Sequence, residues 1–216
     1  DHLVSLALLD YTQSTAEIIY VGKKAGKHVK TQEQINQLLV SEAKQGKRVV
    51  RLKGGDPFIF GRGSEECEWL REHGISFEVV PGVSAVSAVP AYAGIPITAR
   101  GVSPSFLAVT GHERACKGSP DVDWASIAQV NTTLVVFMGI LSLRGICHEL
   151  ITHGRDPDTP IAVIRWGTVR EKQVALTGTL SDMADRGEQE SLRPPGLSVM
   201  GEGVRHRERL QGFEAP

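Results

Sequence analysis

RVVRLKGGDPFIFGRGSEE, residues 48–66, runs from a β-branched segment into two glycines, an acid, and then a Gly-Arg-Gly step that opens a helix. RVVRL (48–52) ends at a Lys-Gly-Gly turn, the pattern of a buried parallel strand that finishes at a ligand loop. IIYVG (18–22) has the same character upstream. Between the two lies a helix with clear punctuation: Thr31 and Gln34 have capping-box spacing, Ile35, Leu38, Leu39 and Ala43 share one face, and Gly46 stands where a C-terminal cap belongs. That is a strand–helix–strand unit. A second helix over 64–72 closes at Gly74, and FEVVPG (77–82) reads as the next strand.

Strand and helix alternate through this half, which predicts an open parallel sheet with ligand loops outside the carboxyl ends of its strands. The loop 54–63 and the turn 81–85 both fall there. A polar stretch over 113–123 reads as a hinge, dividing an N-terminal α/β lobe (1–113) from a C-terminal α/β lobe (114–216). In the second lobe TTLVVFMG (132–139), PIAVIRWGT (160–168) and GLSVMGEGV (196–204) read as strands, with a helix over 141–153 and an exposed loop over 186–195.

The 216 residues leave ample length for one large or two modest domains. With 24 basic against 25 acidic residues, no overall basic field points to nucleic acid or an anionic membrane, so an anionic ligand has to be held by local cations. Cys67, Cys116 and Cys147 have neither disulfide-framework nor zinc-knuckle spacing, and no metal site is expected. No apolar run is long enough to span a bilayer and no signal-peptide pattern opens the chain, so the expected compartment is the cytoplasm. Because the chain begins at Asp1 without a preceding turn or cap, residues upstream are expected. The stop at Pro216, soon after the last strand, is read as the end of the fold.

Three constellations suit chemistry. The glycines of KGGDPFIFGRG let a ligand approach bare backbone, and the helix that follows aims free N–H groups at the loop. The loop matches neither a Walker motif nor a GxGxxG fingerprint. The same residues also suit a simple chain reversal with Asp56 bonded to its own loop. PGVSAVSAVPAYAGIPIT (81–98) is rich in small residues, which fits either a flat ligand against Ser84 and Ala85 or close helix packing. Asp1, Lys23, Arg51, Lys53, Asp56 and Arg62 fall near predicted strand ends, although charges at a surface are ordinarily just solvated. His112 follows a strand too, and serves equally as a structural hydrogen-bonding group.

VGKKAG (21–26), RLKGGDPFIFGRG (51–63), VVPGVSAVSAVPAYAGIPIT (79–98), TGH (110–112) and VVFMG (135–139) together resemble the tetrapyrrole methylases, and within them the uroporphyrinogen-III C-methyltransferases. The resemblance runs in order along almost the whole chain. It implies a two-lobed α/β enzyme, its second lobe built on a mixed sheet, that works as a homodimer. S-adenosylmethionine would be held in the cleft between the lobes and leave as S-adenosylhomocysteine. The implied reaction is methylation of uroporphyrinogen III at C2 and C7, giving precorrin-2 for sirohaem- or cobalamin-type pathways.

Carried onto these positions, the resemblance implies cofactor contacts at Gly54, Gly55, Asp56, Ile59, Ser84, Ala85, Met138 and Gly167. It also implies a proton acceptor at Asp1 and a proton donor at Lys23. The substrate bears eight carboxylates, so Arg51 and Arg62 are expected as anchors, with Lys53 beside them, because a guanidinium matches a carboxylate bidentately. Two departures stand out. The glycine-rich loop and first strand that open this family are missing before Asp1, and PPGLSVMGEGV is less apolar than the family's final strand, which predicts irregular pairing there.

Overall fold

The computed structural model describes residues 2–22, 30–111 and 122–212. The chain divides into two compact units, Asp1–Ser84 and Ala85–Pro216. The sequence put the division at 113/114. Residues 106–110 are drawn into the second unit because they pair with a strand of that unit.

In the first unit, α1 (Gln32–Lys44) and α2 (Gly63–Glu72) form where the punctuation places them. Thr31 caps α1 in both directions: its hydroxyl accepts from Gln34 N at 3.2 Å, and its own N–H donates to the Gln34 side chain at 2.8 Å. Thr31→Ala removes one half of that box and is expected to cost about 1 kcal/mol in urea unfolding. Ile35 and Leu39 of α1 bury against Val21, with Leu38 and Leu70 packed at the margin.

The segments 18–22, 48–52 and 77–82 differ from expectation. Among the described residues of this unit none of them pairs into a strand ladder. Val50 is 79% exposed and Val80 75% exposed. The physical reason is that a β-branched run specifies an extended backbone by local sterics, whereas a ladder needs a neighbour at 4.7–4.9 Å that no local pattern supplies.

The second unit is built on a five-stranded mixed sheet. In chain order its elements are α3 (Ala85–Tyr92), β1 (Phe106–Thr110), α4 (Trp124–Ala128), β2 (Thr133–Phe137), α5 (Leu143–Thr152), β3 (Pro160–Arg165), β4 (Val174–Thr179), α6 (Met183–Gln189), β5 (Gly196–Met200) and α7 (Arg207–Leu210). The spatial order is β1-β2-β5-β3-β4. β1 and β2 are parallel, and β5 runs antiparallel to both of its neighbours, β2 and β3.

Side-chain alternation splits the core between the two faces of this sheet. Leu134, Val136, Ile161, Val163 and Met200 meet Ile146, Cys147 and Leu150 of α5. Val135, Ala162, Ile164 and Val199 meet Val86 and Val89 of α3. Burial on both faces explains why TLVVF and PIAVIR are nearly continuous apolar runs.

The irregular final pairing expected of the last strand is absent. GLSVM pairs in register on both sides, while the residues after it turn into a 3-10 helix at Glu202–His206 instead of extending the strand to 204. β4 and α6 are additions to the sequence reading, the latter (Met183–Gln189) running into the start of the region 186–195 expected to be a loop.

Candidate active site

The glycine loop after residue 53 is tied down by Asp56. Its Oδ1 accepts from Phe58 N at 2.8 Å, and its Oδ2 accepts from Gly82 N at 3.2 Å. The loop and the Pro-Gly turn are thereby joined across 26 residues of chain. At Gly82 an added Cβ would overlap the carbonyl oxygen of Gly55, so only glycine permits this approach. Phe60 and Arg62 hold positive φ values of 51° and 57°, a conformation that costs about 1–3 kcal/mol for a non-glycine residue. Ile59 and Phe58 project from the loop, partly exposed.

In the second unit β1, β2 and β3 run in one direction, so the residues after them lie along one edge of the sheet. Those residues are Gly111, then Met138 and Gly139, then Trp166, Gly167 and Thr168. A Cβ on Gly111 would sit 2.5 Å from Gly139 Cα, and one on Gly167 would sit 2.5 Å from Val89 Cγ1. Met138, Trp166 and Thr168 take positive φ values of 54°, 47° and 71°. Among the described residues, five of the six non-glycine residues with positive φ therefore fall in the loop and at these strand ends, where strain marks function more often than it marks folding. The carboxyl edge of such a sheet is also where ligands of α/β proteins bind. Ser84 is buried and Ala85 opens α3.

The cations are not free-standing. Arg51 Nε donates to Glu66 Oε1 at 3.2 Å, and Lys53 Nζ donates to Oε1 and Oε2 of Glu66 at 3.2 and 3.1 Å. Gln32 Nε2, from α1, adds a further bond to Oε1 at 3.1 Å. Glu66 itself is only 4% exposed. Burial pushes the pKa of Lys53 down, and its hydrogen bond to Glu66 pulls it partly back. Arg62 makes a two-point contact with Glu65, at 2.8 and 2.6 Å, which together with the charge of that carboxylate raises its pKa.

Sequence reasoning missed Glu66, since an acid in the first turn of a helix ordinarily serves the helix dipole in solvent. It also missed the contact of Gly111 with Gly139. Asp1, Lys23 and His112 lie outside the described residues. A cavity of about 310 Å³ occupies the opposite edge of the sheet, lined by Ser103, Thr132, Thr133, Arg155 and Thr159 among others. None of the site residues expected from sequence lines it.

The loop of bare backbone in the first unit and the glycine-lined, strained sheet edge in the second are each, taken alone, of the kind at which α/β proteins bind ligands. Residues 1–184 match the family model of the tetrapyrrole (corrin/porphyrin) methylases, and the chain belongs to that family. The uroporphyrin-III C-methyltransferase of Thermus thermophilus, solved in complex with S-adenosyl homocysteine, is 40% identical, with a TM-score of 0.71 over 87% of this chain and 77% of that one. Cobalt precorrin-4 methyltransferase, a cobalamin biosynthetic enzyme, is 26% identical, with a TM-score of 0.78 over 94% of this chain and 82% of that one. The siroheme synthase of Stutzerimonas stutzeri is 50% identical over 99% of this chain. This chain spans 45% of that protein, a little under half its length.

Proposed function

We infer that the protein methylates uroporphyrinogen III at C2 and C7, with S-adenosylmethionine as donor, to give precorrin-2 for sirohaem- or cobalamin-type tetrapyrrole synthesis. The observation that carries this reading is the Asp56-locked glycine loop, in a chain 40% identical to a uroporphyrin methyltransferase solved with S-adenosyl homocysteine. The bare backbone at Gly82, held against Gly55, and at Gly167, held against the Val89 side chain, supports this reading, because neither position admits a Cβ.

When bound, the cofactor supplies an electrophilic sulfonium methyl group. Gly54, Gly55, Asp56, Ile59 and Ser84 in the first unit, with Ala85, Met138 and Gly167 in the second, are its proposed contacts. Arg51 and Arg62 are the proposed anchors for substrate carboxylates. Arg62 is the better placed of the two: its side chain is 50% exposed, and an exchangeable surface pair with Glu65 costs little to open. Asp1 accepts a proton and Lys23 donates one in this scheme, trimming a reaction that owes most of its rate to holding two reactants in line. Homodimerisation and a cytoplasmic location complete the proposal. Among the described residues no helix is long and apolar enough to cross a membrane.

The test is anaerobic incubation of the protein with S-adenosylmethionine and uroporphyrinogen III, followed by mass spectrometry of the tetrapyrrole. Two added methyl groups are expected. Cofactor binding with no methyl transferred would overturn the assigned reaction.

A further inference from the structure

The loop that closes the β3–β4 hairpin is fastened to α3 by a side chain of its own. The two strands pair as far as Arg165 with Val174, which leaves residues 166–173 to make the turn. Inside it Val169 N donates to Trp166 O at 2.9 Å, and Lys172 N and Gln173 N both donate to Val169 O, at 2.9 and 2.8 Å. The N–H of Thr168 is met differently: it donates to Gln173 Oε1 at 2.8 Å. The other end of the same amide, Gln173 Nε2, donates at 3.1 Å to the carbonyl oxygen of Tyr92, the last residue of α3. That carbonyl cannot be closed in the ordinary helical way, because the residue four further on is Pro96, which has no N–H. One planar amide, its acceptor turned to one neighbour and its donor to the other, ties residue 168 to the end of a helix.

The tie bears on a strained residue. Thr168 is β-branched and holds φ at 71°, a conformation that persists only where its surroundings impose it. Gly167, just before it, lies against the same helix, where a Cβ would come within 2.5 Å of Val89 Cγ1. The turn is thus seated on α3 twice, through Gly167 at Val89 and through Gln173 at Tyr92. The first residue of that helix is Ala85. In the cofactor reading above, on which this inference rests, Ala85 and Gly167 are both contacts. We propose that Gln173 is a positioning residue for the cofactor, one that keeps Thr168 in its strained conformation and so fixes the bare backbone of Gly167 at a set distance from Ala85. No part of this role requires Gln173 to touch the cofactor. Without the amide, Thr168 relaxes to negative φ, and the peptide unit that joins it to Gly167 turns away.

The experiment measures, for the full chain, the dissociation constant of S-adenosylhomocysteine by calorimetry and the melting temperature without ligand. Gln173→Ala is expected to weaken binding about tenfold, the net worth of one or two hydrogen bonds, while lowering the melting temperature by no more than about 3 °C. Thr168→Gly separates positioning from bracing. Glycine holds a positive φ without strain, so in that background Gln173→Ala is expected to weaken binding only about threefold or less. A brace that merely joins the hairpin to α3 would cost the same factor in both backgrounds. Gln173→Glu keeps the acceptor for Thr168 N but cannot donate to Tyr92 O, and about a threefold loss is expected of it.

Unchanged affinity in Gln173→Ala would overturn the proposal, as would an equal loss with and without Thr168→Gly. Gln173→Glu takes the place of Gln173→Ala in both comparisons if the alanine variant does not fold. A wild-type protein that does not bind S-adenosylhomocysteine would instead overturn the cofactor reading itself, and this inference with it.

Discussion

Gly82→Ala is expected to weaken cofactor binding by at least about 30-fold and to destabilise the first unit by about 1–3 kcal/mol. The new methyl group would be driven into the carbonyl oxygen of Gly55, with the Gly55 carbonyl carbon 3.0 Å away and Asp56 Cα 3.5 Å away. All three obstacles are backbone atoms, so no side-chain rotation relieves the overlap. The turn and the loop have to part. Parting them breaks the 3.2 Å bond from Gly82 N to Asp56 Oδ2 and leaves, among the described residues, the bond to Phe58 N to hold that carboxylate.

The control is Gly145→Ala in α5, where nothing lies within 4 Å of the added carbon. Alanine there is expected to stabilise by up to about 1 kcal/mol, through helix propensity alone, and to leave affinity untouched. Calorimetric titration with S-adenosylhomocysteine separates the two variants. Wild-type affinity in Gly82→Ala would show that the loop's attachment to the Pro-Gly turn has no part in binding.

What could be read beforehand follows from which signals are local. The capping box at Thr31 and Gln34 and the helix face at Ile35 and Leu39 are short-range patterns, and α1 forms as they predict. α2 and the apolar runs of β2, β3 and β5 were equally legible. β4 was not, because VALTGT mixes polar residues and a glycine into a half-exposed strand whose only neighbour is β3. α6 escaped for a related reason: of its residues only Met183 and Gly187 are buried, so no apolar stripe announces it.

In the first unit the sequence offered strand propensity at 18–22, 48–52 and 77–82, and no ladder is formed there among the described residues, because pairing depends on a neighbour that propensity does not supply. In the candidate site the glycines were legible because glycine identity itself reports close approach. The ion cluster was not, because Gln32, Lys53 and Glu66 meet only once two helices and an extended segment have packed.

Leu150→Ala should produce the largest loss of stability in the second unit, about 3 kcal/mol, with a fall in melting temperature of about 10 °C. Leu150 is fully buried. It stands last on the face of α5 formed by Leu143, Ile146, Cys147 and Leu150, spaced as one stripe of a helix must be to seat on a sheet. Beneath that stripe lie Leu134 and Val136 of β2 and Ile161 and Val163 of β3, all fully buried, so the neighbours of the deleted methyls are sheet side chains already packed on both sides and poorly able to collapse into the space. The cost therefore combines lost transfer free energy with a residual cavity. Val80→Ala, at a side chain three-quarters exposed, is expected to stay within about 0.5 kcal/mol of the parent. Urea unfolding of both variants measures the contrast, and a Leu150→Ala loss below about 1 kcal/mol would mean that α5 is not seated on the sheet as described. Because β2 and β3 also carry Met138 and Gly167 at their carboxyl ends, loosening α5 is expected to raise the KM for S-adenosylmethionine as stability falls, linking the core of the second unit to the strained sheet edge it supports.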